Sequence, residues 1–94
     1  MHNPTTDIEF DPFKAKLNRA KHGVGFAQAG EALHDFMAIT IKDPDAFGEQ
    51  RFVTLGADAN GRLLIVVYTM RGDTIRLISA RKASKGETRQ YHAQ

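Results

Sequence analysis

The side chains able to do chemistry in this 94-residue chain are mostly cationic: thirteen Lys and Arg and four His, against eleven Asp and Glu and no Cys. Without cysteine there is no thiol nucleophile, no disulfide and no Cys-ligated zinc. His2, His22, His34 and His92 are scattered, in neither an H-x-H nor an H-E-x-x-H spacing, so no metal site is expected. Asp43-Pro44-Asp45 lacks the further ligands and the glycine of a calcium loop and reads as a turn. Gly23-Val24-Gly25 begins like a phosphate loop, but Gln28 stands at the third glycine position and no strand precedes it. Those glycines read as a helix stop and a helix start. No G-x-S-x-G occurs. What remains is an Arg/Lys/His set, and it fits one chemistry without metal or cofactor. RNA carries its own nucleophile, the 2′-hydroxyl. A catalyst need only take that proton, hold the charge growing on the phosphate and protonate the departing 5′-oxygen. Imidazole moves protons at neutral pH, and arginine forks hold phosphorane oxygens.

The charge is unevenly placed. Pro12 to His22 holds four bases (Lys14, Lys16, Arg19, Lys21) and no acid; Gly61 to Gln94 holds seven bases and two acids; the stretch between holds six acids and two bases. Two basic blocks could fold into one positive face, which would attract a polyanion; scattered solvated charge is the competing reading.

These residues need elements to position them. Ile8 to Phe10 reads as a short strand or an extended lead-in. Asp11-Pro12 is a helix start, with a capping carboxylate and proline at the first position. Phe13, Leu17 and Ala20 share one face of that helix, and Lys14, Asn18 and Lys21 share another. Lys21 and His22 fall in the last turn, where cations suit the dipole, before Gly23. They read equally as capping charges and as reactive groups. Phe26, Ala29, Gly30 and Leu33 mark a second helix. Strands follow over Phe36–Lys42, Gln50–Ala57, Arg62–Met70 and Thr74–Arg81, separated by Asp43-Pro44-Asp45, the tight-hairpin pair Asn60-Gly61, and Gly72-Asp73. The apolar third strand should be central. Ser84 and Glu87 form a capping box for a last helix through Tyr91. The expected fold is α+β in two layers: two N-terminal helices, a four-stranded antiparallel β-meander and a C-terminal helix.

Arg76 and Arg81 are an odd number apart, so on a regular strand they face opposite ways and only one can join a site unless a bulge intervenes. Arg81 and Lys82 lie at the strand end, where sites commonly form. Arg51 and Glu49 read either as a cross-strand ion pair or as site groups. Tyr91 reads as packing, with base stacking as its alternative.

At this length one domain over 1–94 is expected, with 1–7 a flexible tail. The polar Met1–Thr6 start is no signal peptide, and the apolar run Leu63–Tyr68 is too short to span a bilayer. A cytoplasmic location follows as an expectation.

Several pieces occur in a telling order: Phe10-Asp11-Pro12 with Lys14; Asn18 with Lys21-His22-Gly23-Val24 and Phe26; Glu49, Arg51-Phe52 and Gly56; the Gly61–Thr69 strand; and Arg76-Leu77-Ile78-Ser79-Ala80-Arg81-Lys82-Ala83 with Glu87 and Tyr91. By these pieces the chain resembles the BrnT ribonuclease toxin family from about Ile8 to Tyr91. The resemblance implies a RelE-like fold, cleavage of messenger RNA that stops translation and growth, and the toxin role in a type II toxin–antitoxin pair. It also implies neutralisation by a BrnA-like antitoxin with a ribbon-helix-helix DNA-binding domain, with a larger complex on operator DNA. Together, residues and resemblance give His22, Arg51 and Arg81 as candidate catalytic groups and Lys21, Arg76 and Lys82 as candidate RNA-binding groups. The matching of Arg51 favours function for it, and structure is favoured for Glu49. A non-catalytic nucleic-acid-binding or regulatory module is the alternative. Phe10, where the family usually has Trp, and Gly25, where it often has Ser, are departures that look structural.

Overall fold

A computed structural model describes residues 7–94, so all of the expected tail but Asp7 lies outside the described residues. The order is β1 (Ile8–Glu9), α1 (Pro12–His22), α2 (Phe26–Leu33), β2 (Ile39–Lys42), β3 (Arg51–Ala57), β4 (Leu63–Arg71), β5 (Thr74–Lys82) and α3 (Lys85–His92). The helix ends follow the sequence signals. Asp11 Oδ1 accepts from the Phe13 amide at 2.8 Å, Gly23 closes α1 at φ +70°, and Ser84 and Glu87 complete the capping box of α3. Gly25 starts α2 with no side-chain cap.

The sheet has five strands in the order β1-β5-β4-β3-β2. The expected antiparallel meander supplies four of them, with apolar β4 at the centre. The fifth, β1, precedes the helices and pairs parallel to β5, Ile8 with Ile75 and Glu9 with Arg76, so the sheet is mixed. A two-residue strand is too short to show alternation, which is why the sequence left it open. Two loops also differ from expectation. Asp35 Oδ1 accepts the Met37 amide at 3.0 Å, turning the chain at Phe36-Met37 and delaying β2 to Ile39. In the β3–β4 connection only Gly61 takes positive φ. The turn starts at Asp58, whose carboxylate accepts the Asn60 and Arg62 amides at 2.9 Å each.

Helix α1 lies against β5, and helix α2 and the turn before it cover one face of the sheet. Val24, Phe26, Ala29 and Ala32 pack there on Leu64, Val66, Leu77 and Ala80. A Cβ on Gly56 would collide with the Ala32 carbonyl, so the missing side chain lets α2 settle onto β3. The third helix lies over the opposite face, against Leu55 and Ile65, and turns the expected two layers into helix, sheet and partial helix. Leu77 and Ala80 are three apart, yet both reach the core. The reason is a bulge: Val67 pairs with Ser79 and Tyr68 with Leu77, leaving Ile78 unpaired.

Helix α1 docks by an unexpected face. Phe13 and Leu17 are 66% and 52% exposed, while Asn18 is the one buried residue of the helix. Its Nδ2 donates to the Val24 carbonyl at 3.0 Å and to the Ala80 carbonyl at 2.9 Å. Its Oδ1 accepts the Ala80 amide at 3.1 Å. One side chain thus replaces a neighbouring strand along the edge of β5.

Asn18→Ala would leave these backbone groups unpaired in the interior, at about 1–3 kcal/mol per unsatisfied group. The melting temperature of a chain this size should fall by about 4–8 °C per kcal/mol. Leu17→Ala, on the exposed stripe, should stay within about 0.5 kcal/mol of the parent. Thermal melts followed by circular dichroism separate the two, and equal melting temperatures would contradict the docking role of Asn18.

Candidate active site

Register builds the site. Arg51 pairs with Thr69, and Thr69 pairs with Arg76, so the three side chains share the face opposite α2. The arginine Cα atoms therefore lie about 10 Å apart, two strand spacings. Buried Thr69 sits between them, its hydroxyl donating to the Gln50 carbonyl at 2.8 Å. Arg71 continues the row, and Lys14 of α1, Glu49 and Phe47 of the β2–β3 loop, and the bulged Ile78 complete an open groove of about 340 Å³.

Each arginine has a carboxylate beside it: Asp43 by Arg51 at 3.4 Å, Glu49 by Arg71 at 3.6 Å and Glu9 by Arg76 at 3.3 Å. These separations exceed those of charge-assisted hydrogen bonds. The carboxylates steer the guanidinium groups without consuming their donors. Arg51 Nε is buried with no acceptor at all, a state that costs free energy until an acceptor arrives. An oxyanion in the groove would be such an acceptor. No three His, Asp or Glu side chains among the described residues are grouped to hold a metal ion.

A second recess of about 230 Å³ adjoins the groove, lined by Leu17, Lys21, His22 and Ser79 and sharing Lys14 and Ile78 with it. Of the six residues singled out in the sequence, Arg51 and Arg76 thus meet in the groove, and Lys21 and His22 sit next door. Arg81 and Lys82 lie elsewhere. The bulge does put Arg81 on the same face as Arg76, against the expectation from odd spacing. It pairs with Ile65, however, four positions along β4 from Thr69, about 13 Å away. Its guanidinium grips both Glu87 oxygens at 2.9 Å and donates to the Lys82 carbonyl at 3.2 Å. Lys82 stands exposed at the end of β5. The Glu49–Arg51 pair does not form; each takes another partner.

The sequence reading did not assign Lys14, Arg71 or Phe47. Lys14 had a signal, since it shares a helix face with Asn18 and Lys21. Arg71 and Phe47, at a strand end and in a loop, had none. Tyr91 is half-buried, and its hydroxyl donates to Asp35 Oδ2 at 2.5 Å. Burial pushes the Asp35 carboxyl up, but bonds from Tyr91 and the Ala57 and Met37 amides outweigh it and hold the group below its usual range.

Fold and groove define a class, a small α+β protein with a cationic groove on the sheet face opposite α2, reached from the side by Lys14 of α1. Residues 10–87 match the family described as ribonuclease toxin, BrnT, of type II toxin–antitoxin systems. The chain belongs to this family, and the family implies an antitoxin partner. The chain is also similar to the crystal structure of the Brucella abortus ribonuclease toxin, BrnT, with 26% identity, a TM-score of 0.67, and coverage of 86% of this chain and 100% of that one. No curated protein matches. Phe10 packs edge-on to Phe26 at 5.4 Å between ring centroids. No helix among the described residues is long and apolar enough to cross a membrane.

The Arg81 bond to Glu87 makes a pH prediction. That bond, above all, lowers the Glu87 carboxyl from 4.5 to about 2. A depressed folded-state value stabilises the fold above the unfolded value and stops doing so as pH falls through the folded one. Attachment of α3 should therefore weaken between pH 4.5 and about 2, and Glu87→Gln should flatten that dependence. Amide exchange of α3 against pH checks it; identical profiles for parent and variant would contradict the role of the pair.

Proposed function

We propose that the chain is the toxin of a type II pair, a single-domain, metal-independent endoribonuclease that cuts messenger RNA in the cytoplasm and so stops translation and growth. The observation that carries this reading is the cross-strand row Arg51–Thr69–Arg76, with its unpaired buried Arg51 donor. Two guanidinium groups flanking a small residue suit one phosphate between them. In the reaction the 2′-hydroxyl attacks the adjacent phosphorus. His22 takes its proton, Arg51 and Arg76 hold the charged phosphorane oxygens, and Lys14 and Lys21 bind neighbouring phosphates. The bond to the 5′-oxygen breaks and the proton passes to that oxygen. A 2′,3′-cyclic phosphate and a free 5′-hydroxyl result. Arg81, gripped by both oxygens of Glu87, is assigned to holding α3, and Lys82 to the surface.

One observation favours the second reading, a binding module without catalysis: His22 lies in the adjoining recess and not in the arginine groove. For the partner, we place a DNA-binding antitoxin of BrnA-like type over α1. Its exposed Phe13 and Leu17 stand among Lys14, Lys16, Arg19 and Lys21 with no acid in the helix, a surface suited to an acidic amphipathic segment. Seated there, the segment would cover Lys14 and the His22 recess. A larger complex on operator DNA would follow through the antitoxin.

Partner-free protein should cleave single-stranded RNA in EDTA and leave DNA intact; an absolute need for added divalent metal would overturn the mechanism. His22→Ala and Arg51→Ala should each lose about 10²–10³ in rate, the usual loss for a transition-state contact, without an earlier melt. Cleavage that survives His22→Ala, per folded molecule, would give the second reading the advantage.

A further inference from the structure

The β2–β3 loop carries a phenyl ring that nothing in the fold uses. The loop's base is fixed: the Asp43 amide donates to the Arg51 carbonyl at 2.8 Å, and the Asp45 amide donates to Asp43 Oδ1 at 2.9 Å. Near the tip, Gly48 turns the backbone at φ +78°. Between them Phe47 is 99% exposed, and it lines the groove beside Arg51, Arg71 and Arg76. Water is a poor setting for a phenyl group, and aromatic rings dominate cores and interfaces for that reason. From Asp43 to Gln50 no other large apolar side chain accompanies it, so the loop offers no apolar patch of the kind a protein partner would cover. It offers a single π-face in the lining of a cationic groove.

We propose that Phe47 is a base-stacking subsite: a nucleobase next to the phosphate held by Arg51 and Arg76 stacks on its ring. The proposal rests on the reading of the groove as an RNA site, and it adds what phosphate contacts cannot supply. Cations hold a backbone of any sequence, whereas an aromatic platform requires an unpaired base and so selects single strands. A double helix keeps its bases stacked inside and has nothing to give Phe47.

The test uses the whole chain and two non-cleavable probes of equal length and charge, a 2′-O-methyl single-stranded RNA and its abasic counterpart. Phe47→Ala should weaken binding of the first by about 5- to 150-fold, the range for losing one base–aromatic stack, and leave the second unchanged. Arg51→Ala should weaken both. Phe47→Trp should restore affinity, and because the chain has no Trp, its fluorescence reports this one position. Quenching by the RNA but not by the abasic strand is expected. Phe47→Ala with parental affinity for RNA, while Arg51→Ala loses it, overturns the subsite and leaves the groove. Equal losses on both probes overturn it too, as does lost antitoxin capture with RNA binding intact. If the parent binds neither probe, the groove reading falls, and the subsite with it.

Discussion

The side-chain amide of Asn18, clasped to the backbone of Ala80, is the contact on which the rest of the arrangement hangs. Strand β5 has β4 on one side and needs a partner on the other, because buried amides and carbonyls must be paired. The short β1 supplies that partner only at Ile75 and Arg76. Beyond the bulge the task passes to Asn18, which donates to and accepts from the same residue. The cost is that α1 must turn this polar residue inward. Residues three and four apart share a helix face, so Lys14 and Lys21 are drawn toward the sheet with it. The stripe Phe13 and Leu17 is turned out to solvent by the same rotation. A helix docked by its apolar face would have buried the stripe and pointed the lysines away from the groove.

The bulge at Ile78 does the complementary work on the strand. An unbroken β5 could not send both Leu77 and Ala80 into the core, and Ala80 is where Asn18 must attach. The extra residue resets the alternation between them, so Arg76 keeps its place opposite Thr69 while Ala80 reaches α1. Ile78 itself is left over, and it lines both the groove and the recess. Clasp and bulge are one device: the first fixes where α1 sits, and the second lets a strand serve core and groove together.

The third helix is held in a different way. It buries no residue and is tied by polar contacts, Arg81 to Glu87, Tyr91 to Asp35, and Gln94 Nε2 to the Met37 carbonyl at 2.6 Å. Beneath it Ile39, Val53, Leu55 and Ile65 leave a space of about 160 Å³. Elements with few buried apolar contacts open at low free energy, so α3 is set to open before the α2 face does. Its ties are pairwise and partly exposed, and exposed ion pairs contribute little.

What the sequence made legible follows from the range of each signal. Caps, turns and strand periodicity are local, so Asp11, Gly23, the Ser84–Glu87 box and the four longer strands could be read directly. Strand β1 could not, since it exists only through its pairing with β5. The apolar face of α1 misled because periodicity reports which residues are alike, not which face a distant backbone requires. The six candidate residues divided for a similar reason. Arg51 and Arg81 look equivalent in sequence, each matched to the family and each in or next to a strand end. What separates them is a partner. Arg81 meets both oxygens of one carboxylate in fork geometry, and it also donates to the Lys82 carbonyl. Arg51 meets Asp43 at a distance that aligns it without satisfying it, and one of its donors is left buried and unpaired. The first arrangement ties the group to α3. The second leaves a positive group with one donor unmet, and this difference in satisfaction, more than position, is what supports the proposed reading of the groove.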